Sequence, residues 1–213
     1  MIESTSAAES ISERSQESVL RTIAHEIRQP LSTIESIAYY LSLSLPANDE
    51  HREQLARVQQ MVEQSNWILS NGLGLADSRR ANPETINIDD LISETISERP
   101  ASLDVPVECE LAAGLHMVDL DPGYGRDLIG NLLGLFRQIA TEAHPVRLRT
   151  SSGMLGVDID ISTTVPGYRS TASLPPGSAL SLDCARRIAT MHGGSVIHSV
   201  DPVSGIRVRV MLP

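Results

Sequence analysis

The chain has 213 residues, a formal net charge of −10 and a hydrophobic fraction of 41%, enough for one large or two small domains with a buried core. The acidic balance argues against a nucleic-acid partner, whose phosphates call for a basic face. All 17 basic residues are arginine, and a chain without lysine excludes P-loop nucleotide binding, Schiff-base chemistry and pyridoxal phosphate catalysis.

Residues 1–11 are rich in Ser and Glu and are expected to form a disordered lead, with no apolar stretch of signal-peptide type. No apolar run reaches the length of a bilayer span, so a cytoplasmic protein without a membrane segment is expected. Cys109 and Cys184 lie far apart without metal-ligand neighbours; they read as reduced, packed thiols, and no metal site is implied.

A helical hairpin is predicted over residues 12–82. Its first helix runs from near Ser12 to Leu45 and stops at Pro46-Ala47-Asn48-Asp49; the second starts near Glu50 and frays before Arg79 and Arg80. Leu20, Ile23, Ile27, Ile34, Ile37 and Leu41 alternate in steps of three and four, the a and d positions of a heptad, and Pro30 takes the remaining seam position. Two amphipathic helices leave such a stripe half covered, which predicts a homodimer closed as a four-helix bundle. Packing of the stripe within the chain, against the C-terminal domain, is the competing reading.

With Leu20 and Ile27 at a, His25 falls at f and faces away from the seam. Arg21 lies one turn before it, and Arg28 and Gln29 one turn after. A histidine attacking phosphorus must be neutral and carry its proton on the right nitrogen, and the adjacent Glu26 carboxylate suits an orienter or general base. An isolated surface histidine is usually just solvated. Here the whole string His25-Glu26-Ile27-Arg28-Gln29-Pro30-Leu31 resembles the H-box of HisKA-type sensor histidine kinases. The resemblance implies that His25 carries a phosphoryl group and passes it to an aspartate on a response-regulator receiver. Gln29 departs from that family, which has Thr or Asn at the position that helps place the water dephosphorylating the receiver.

After Ala81–Pro83 a second domain is predicted over residues 83–213. In chain order it reads as a short strand and amphipathic helix (Ile86–Arg99), a strand (Val105–Leu111), and a helix opened by Asp121 (Pro122–Ala143). A hairpin of two strands follows (Val146–Thr150 and Leu155–Ile161), then a helix ended by Gly193-Gly194 (Ala179–His192) and two closing strands (Ser195–Val200 and Ile206–Leu212). The expected fold class is α+β, the hairpin followed by an α/β sandwich with helices on one sheet face. This order resembles the Bergerat-type ATP-binding domain of histidine kinases over nearly all of Ile86–Pro213. Asp121-Pro122 with Leu128-Ile129-Gly130-Asn131 resembles the approach to the N-box, Val165-Pro166-Gly167 the end of the first glycine box, and Leu180 through Met191-His192-Gly193-Gly194 the second box and its helix.

Several family positions carry other residues. Four residues after Asn131, where the family has a magnesium-holding Asn, stands Leu135, which cannot ligate a hard cation. Thr163 falls where an aspartate reads adenine, and Val165 where a glycine is usual; of the second box's glycines only Gly177 remains, with Ala179 at the next. Tyr168–Pro176 is short for a nucleotide lid. These departures predict a degenerate, pseudo-catalytic domain in which ATP is not bound. The expectation is then a dimeric histidine phosphotransferase of a bacterial phosphorelay, moving phosphate between receivers, one belonging to an upstream hybrid kinase, with Mg2+ supplied by the receiver and no cofactor of its own. A divergent active sensor kinase and a non-catalytic receiver-binding scaffold remain as alternatives.

Overall fold

The computed structural model describes residues 2–46, 50–77, 79–98, 106–112, 116–154 and 156–213, with side chains described for all of these but 2–16 and 171. Residues 47–49 of the expected hairpin turn, Arg99, Val105 and Leu155 lie outside them. The chain divides into two compact units, Met1–Arg79 and Arg80–Pro213.

The first unit is a pair of helices, α1 (Ile2–Ser44) and α2 (His51–Ala76). Helix α1 starts well ahead of Ser12 and takes in the segment expected as a lead, where Ala7, Ala8 and Glu9 are good helix formers. Contact between the helices is made by small residues: Ala24 and Ala38 of α1 and Val62 of α2 are each 3% exposed. Glu17, Ala24, Leu31, Ala38 and Leu45, seven apart, form the covered stripe of α1, the e positions of the heptad. The a/d seam does not face α2. Leu20, Ile23, Ile27, Ile34, Ile37 and Leu41 stay 41–54% exposed. No helix among the described residues is long and apolar enough to cross a membrane.

In the second unit, β1 (Glu84–Asn87) pairs antiparallel with β3 (Met117–Leu120), and α3 (Ile88–Ser97), β2 (Val107–Glu110) and α4 (Pro122–Arg137) complete its first half. Its second half is β4 (Val146–Ser152), β5 (Val157–Thr163), a 3₁₀ turn at Thr171–Ser173, α5 (Ser178–Met191), β6 (Ser195–Asp201) and β7 (Gly205–Leu212). The main sheet has the order β2-β4-β5-β7-β6, with β2 parallel to β4 and the rest antiparallel. Strand periodicity sorts its faces. Leu148 of β4, Ile159 and Ile161 of β5 and Val208 and Val210 of β7 are fully buried, alongside Leu128, Leu132, Leu135 and Phe136 of α4 and Ala185 of α5. The outward positions carry charges of alternating sign across the strands: Glu110 pairs with Arg149, and Asp160 with Arg207 and Arg209.

Two differences from the expected elements have local causes. Strand β3 is only four residues long and is specified by its pairing with β1 across the chain, which no local pattern encodes. Helix α4 ends at Arg137 instead of Ala143, because the chain turns into a Thr141–His144 bridge whose two N–H groups pair with each other's carbonyls. Its start is as the sequence indicates: the Asp121 carboxylate accepts from the N–H groups of Gly123 and Tyr124, and Pro122 stands where a missing donor costs nothing.

Candidate functional site

His25 is exposed on α1, which runs on through Pro30, a residue that cannot donate to the Glu26 carbonyl one turn back. One turn on, the Gln29 side-chain amide nitrogen lies 3.1 Å from His25 Nε2. The Gln29 carbonyl in turn accepts from Thr33 Oγ1 at 3.1 Å. Gln29 also opens a shallow groove along α1 lined further by Ser32, Thr33, Ser36, Ile37 and Tyr40. Glu26 is exposed next to His25.

The two arginines expected to flank His25 are held by other groups. Arg21 donates through Nε and Nη2 to Glu17 at 2.9 and 2.7 Å, and its Nη2 lies 3.5 Å from Asp77 at the end of α2. Asp77 is 5% exposed and also takes the Arg79 backbone N–H at 3.0 Å and its Nε at 2.6 Å. Arg28 reaches across to α2 and donates to Ser70 Oγ at 3.0 Å. Both cations are therefore held by other groups one turn from His25, on its own helix.

The expected nucleotide positions lie on α4, at and beyond the end of β5, and at the start of α5. Asn131 on α4 is half-buried, and its carbonyl accepts from Ser181 Oγ of α5 at 2.7 Å, which ties the two helices. Leu135 is fully buried among core side chains. Thr163, at the end of β5, is 1% exposed and donates to the His144 carbonyl at 3.0 Å. Val165 is half-buried beyond it, and Gly167 turns the chain with φ +99°. Gly177 heads α5 in the left-handed region with φ 89°, no side chain caps the helix, and Ala179 is exposed in its first turn. Leu135 offers no oxygen to a hard cation.

A buried polar cluster that the sequence did not disclose sits at the other end of the sheet. Asp89, in the first turn of α3, receives His116 Nδ1 at 2.8 Å and Thr150 Oγ1 at 2.6 Å, and Ser152 Oγ lies 3.4 Å from His116 Nε2. Its members are spread from residue 89 to residue 152, and only the β1–β3 and β4 pairings bring them together. His192, read as a helix-end residue, bonds through Nδ1 to the Ile188 carbonyl at 2.8 Å and accepts the Asp121 N–H on Nε2 at 3.2 Å. It thus ties the end of α5 to the start of α4. Burial pushes the Asp121 carboxyl up, but the N–H groups of Asn82, Tyr124 and Gly123 outweigh it and hold the group below the usual range. Burial raises the Cys184 thiol to about 11 and raises Cys109 as well.

No protein-family profile matches the chain. Among curated proteins it is 24% identical to the sensor histidine kinase ZraS of Salmonella typhimurium, over 82% of this chain and 40% of that protein. It is 26% identical to the sensor protein KdpD of Escherichia coli, over 95% of this chain and 25% of that protein. The chain thus spans well under half the length of these relatives. Among solved structures, full-length ShkA in complex with AMPPNP matches 92% of this chain and 45% of its own, with a TM-score of 0.59 and 20% identity. The cytoplasmic segment of histidine kinase QseC matches 79% of this chain and 98% of its own, with a TM-score of 0.54 and 16% identity. The helical hairpin followed by a sheet domain is therefore a histidine-kinase fold.

These findings correct three expectations. The relatives are sensor histidine kinases, which overturns the reading as a phosphotransferase without ATP-dependent autophosphorylation, and with it the expectations that kinase activity is unlikely and that ATP is not bound. The physical reason is that a nucleotide is also held by backbone N–H groups at a helix start, which do not depend on the side chains at Leu135, Thr163, Val165 and Ala179.

Proposed function

We propose that this chain is the phosphoacceptor and catalytic core of a sensor histidine kinase, using ATP to phosphorylate His25 and handing the phosphoryl group to a response-regulator receiver. The observation that carries this reading is an exposed His25-Glu26 pair on a helical hairpin, followed in the same chain by a sheet domain of histidine-kinase fold. His25 Nε2 attacks the γ-phosphorus, the bond to the bridging oxygen breaks, and ADP leaves with the electron pair. Glu26 orients the ring and takes its proton, while Arg21 and Arg28 offset the new negative charge. In the second step a receiver aspartate attacks the phosphorus, the N–P bond breaks with its electron pair going to His25 Nε2, and Glu26 gives the ring its proton back, returning neutral His25. On the nucleotide side the start of α5, headed by Gly177 and Ala179 and lacking a side-chain cap, supports binding of the phosphates. We assign Asn131 of α4 and Val165 and Gly167 beyond β5 to the same site, while Thr163 and Leu135 are buried in the core.

Residues 12–82 act as the dimerisation and phosphotransfer unit and residues 83–213 as the catalytic unit. The open a/d seam supports a homodimer: six large apolar side chains at 41–54% exposure on one helix face form a patch that a second copy covers by the same surface. The test is incubation of the purified chain with γ-labelled ATP and magnesium beside His25→Ala. Acid-labile, base-stable label on the wild type and none on the variant is expected; no label on a folded wild-type dimer overturns the proposal.

A further inference from the structure

The buried polar cluster of the second unit sets three side chains in a line. Asp89 Oδ2 meets His116 Nδ1 at 2.8 Å, and His116 Nε2 faces Ser152 Oγ at 3.4 Å. The backbone fixes each of them. The Ile88 N–H donates to the His116 carbonyl at 3.0 Å, the Asp89 N–H donates to the Asn87 side-chain oxygen at 3.2 Å, and Ser152 ends β4. Thr150 sets the protons. Its hydroxyl accepts the Ala112 N–H at 3.1 Å and turns its own proton to Asp89 Oδ1, and the first turn of α3 favours a negative charge at Asp89. An ionised carboxylate only accepts, so Nδ1 is the donor and the lone pair of the neutral ring is on Nε2, towards the serine. Burial is graded along the line: Asp89 is 8% and His116 7% exposed, while Ser152 is open to solvent.

We propose that Ser152 is a nucleophilic serine with His116 as its general base and Asp89 as the residue that positions the base, acting on small neutral carboxylic esters. Nucleophile, base and orienter stand in that order, and the 3.4 Å gap is one that shortens once substrate is bound. The ester class follows from charge. Among the described residues of the cluster the charge is that of the Asp89 carboxylate, which disfavours an anionic phosphate or sulfate ester at Ser152. Ser152 Oγ attacks the acyl carbon as its proton passes to Nε2; the bond from that carbon to the alcohol oxygen breaks, and the alcohol leaves with the proton. Water then attacks the acyl carbon and gives a proton to Nε2, and the Ser152 oxygen departs and takes that proton back, releasing the acid. A donor for the substrate's carbonyl oxygen comes from the backbone. The Gly153 N–H donates to the Gly156 carbonyl at 2.8 Å across the β4–β5 turn, so the next pair, Ser152 and Val157, is of the non-hydrogen-bonded kind and the Ser152 N–H points away from β5. The proposal assigns that N–H to the developing oxyanion. None of these steps uses ATP or His25.

The experiment is labelling of the full chain with an uncharged fluorophosphonate, without nucleotide, followed by peptide mapping in the mass spectrometer. Ser152 Oγ displaces fluoride from phosphorus, and its proton goes to His116. The wild type is expected to carry the phosphonyl group on Ser152, and Asp89→Asn to acquire it about 100-fold more slowly, the lower end of what a general base supplies. In that variant the Thr150 proton keeps the amide oxygen on its side, so the amide nitrogen donates to Nδ1 and the ring proton moves to Nε2. 15N NMR of the His116 ring reads this shift directly, and a purely structural Asp89 would leave the labelling rate where it was. No phosphonyl group on Ser152 of the folded wild type, or equal rates in the two chains, overturns the proposal. If Asp89→Asn loses its cooperative urea transition, wild type and Ser152→Ala decide it with p-nitrophenyl acetate as substrate: turnover that falls about 100-fold in Ser152→Ala supports the proposal, and equal turnover overturns it.

Discussion

The two units bury their apolar residues by different means. In the sheet domain Leu132, Phe136, Leu148, Ile159, Ile161 and Val208 are completely covered by residues of the same chain. In the hairpin the large apolar side chains Ile23, Ile27, Ile34 and Ile37 are open, and alanines fill the contact between α1 and α2. The sheet domain covers its large apolar side chains within one chain, whereas the hairpin leaves its branched ones open and packs its helices through small residues.

Four substitutions or measurements sharpen that contrast. Phe136→Ala empties the centre of α4's packing and should cost about 3–5 kcal/mol in unfolding of the second unit, measured by urea denaturation. The paired change Ile27→Asp with Ile34→Asp should weaken self-association by at least about 100-fold, roughly 2.7 kcal/mol, in sedimentation equilibrium. The helicity of the chain falls with it. If the pair leaves the molecular mass unchanged at every concentration, the open seam is not a dimer face.

Asp121→Ala removes the cap of α4 and should cost about 1 kcal/mol. Because the folded-state carboxyl is held below its ordinary value of 3.8, its stabilising effect is present above that value and is lost as the pH falls through the lower folded one. Wild-type stability should therefore drop on acidification below about pH 4 more steeply than that of Asp121→Ala. The smallest effect is a reactivity difference. Cys184 is 1% exposed with a thiol raised to about 11, whereas Cys109 is exposed on the edge strand β2. A thiol reagent at neutral pH should modify Cys109 in the native chain and reach Cys184 only on unfolding, as mass spectrometry of timed aliquots will show.

Much of this was legible in the sequence because its signals are local. The heptad from Leu20 to Leu41 and the Asp121-Pro122 start are short-range patterns, and the hairpin, α4 and the alternating strands β4, β5 and β7 follow from them. Strand β3, the turn that ends α4 early and the Asp89–His116–Thr150 cluster are products of pairings between distant segments, which no window of sequence contains. The orientation of the heptad was only half legible: periodicity marks an apolar face, but the alanines at the e positions decide which face meets α2. The string around His25 marks it as a candidate, but its contact with Gln29 is not written there, since spacing says that the two meet and not which nitrogen is engaged. Side chains at the nucleotide positions are a poor guide because backbone N–H groups at a helix start also hold phosphates, whatever side chains stand there.

The central claim is that the sheet domain holds ATP for use on His25. Its most direct test is competitive displacement of a fluorescent ATP analogue from the full chain by unlabelled ATP with magnesium, measured by anisotropy for wild type and His25→Ala. Saturable displacement that is equal in both is the predicted result, because the nucleotide rests on the second unit and His25 acts only after it is bound. Absence of any saturable binding in a chain shown to be folded by its cooperative urea transition would contradict the account.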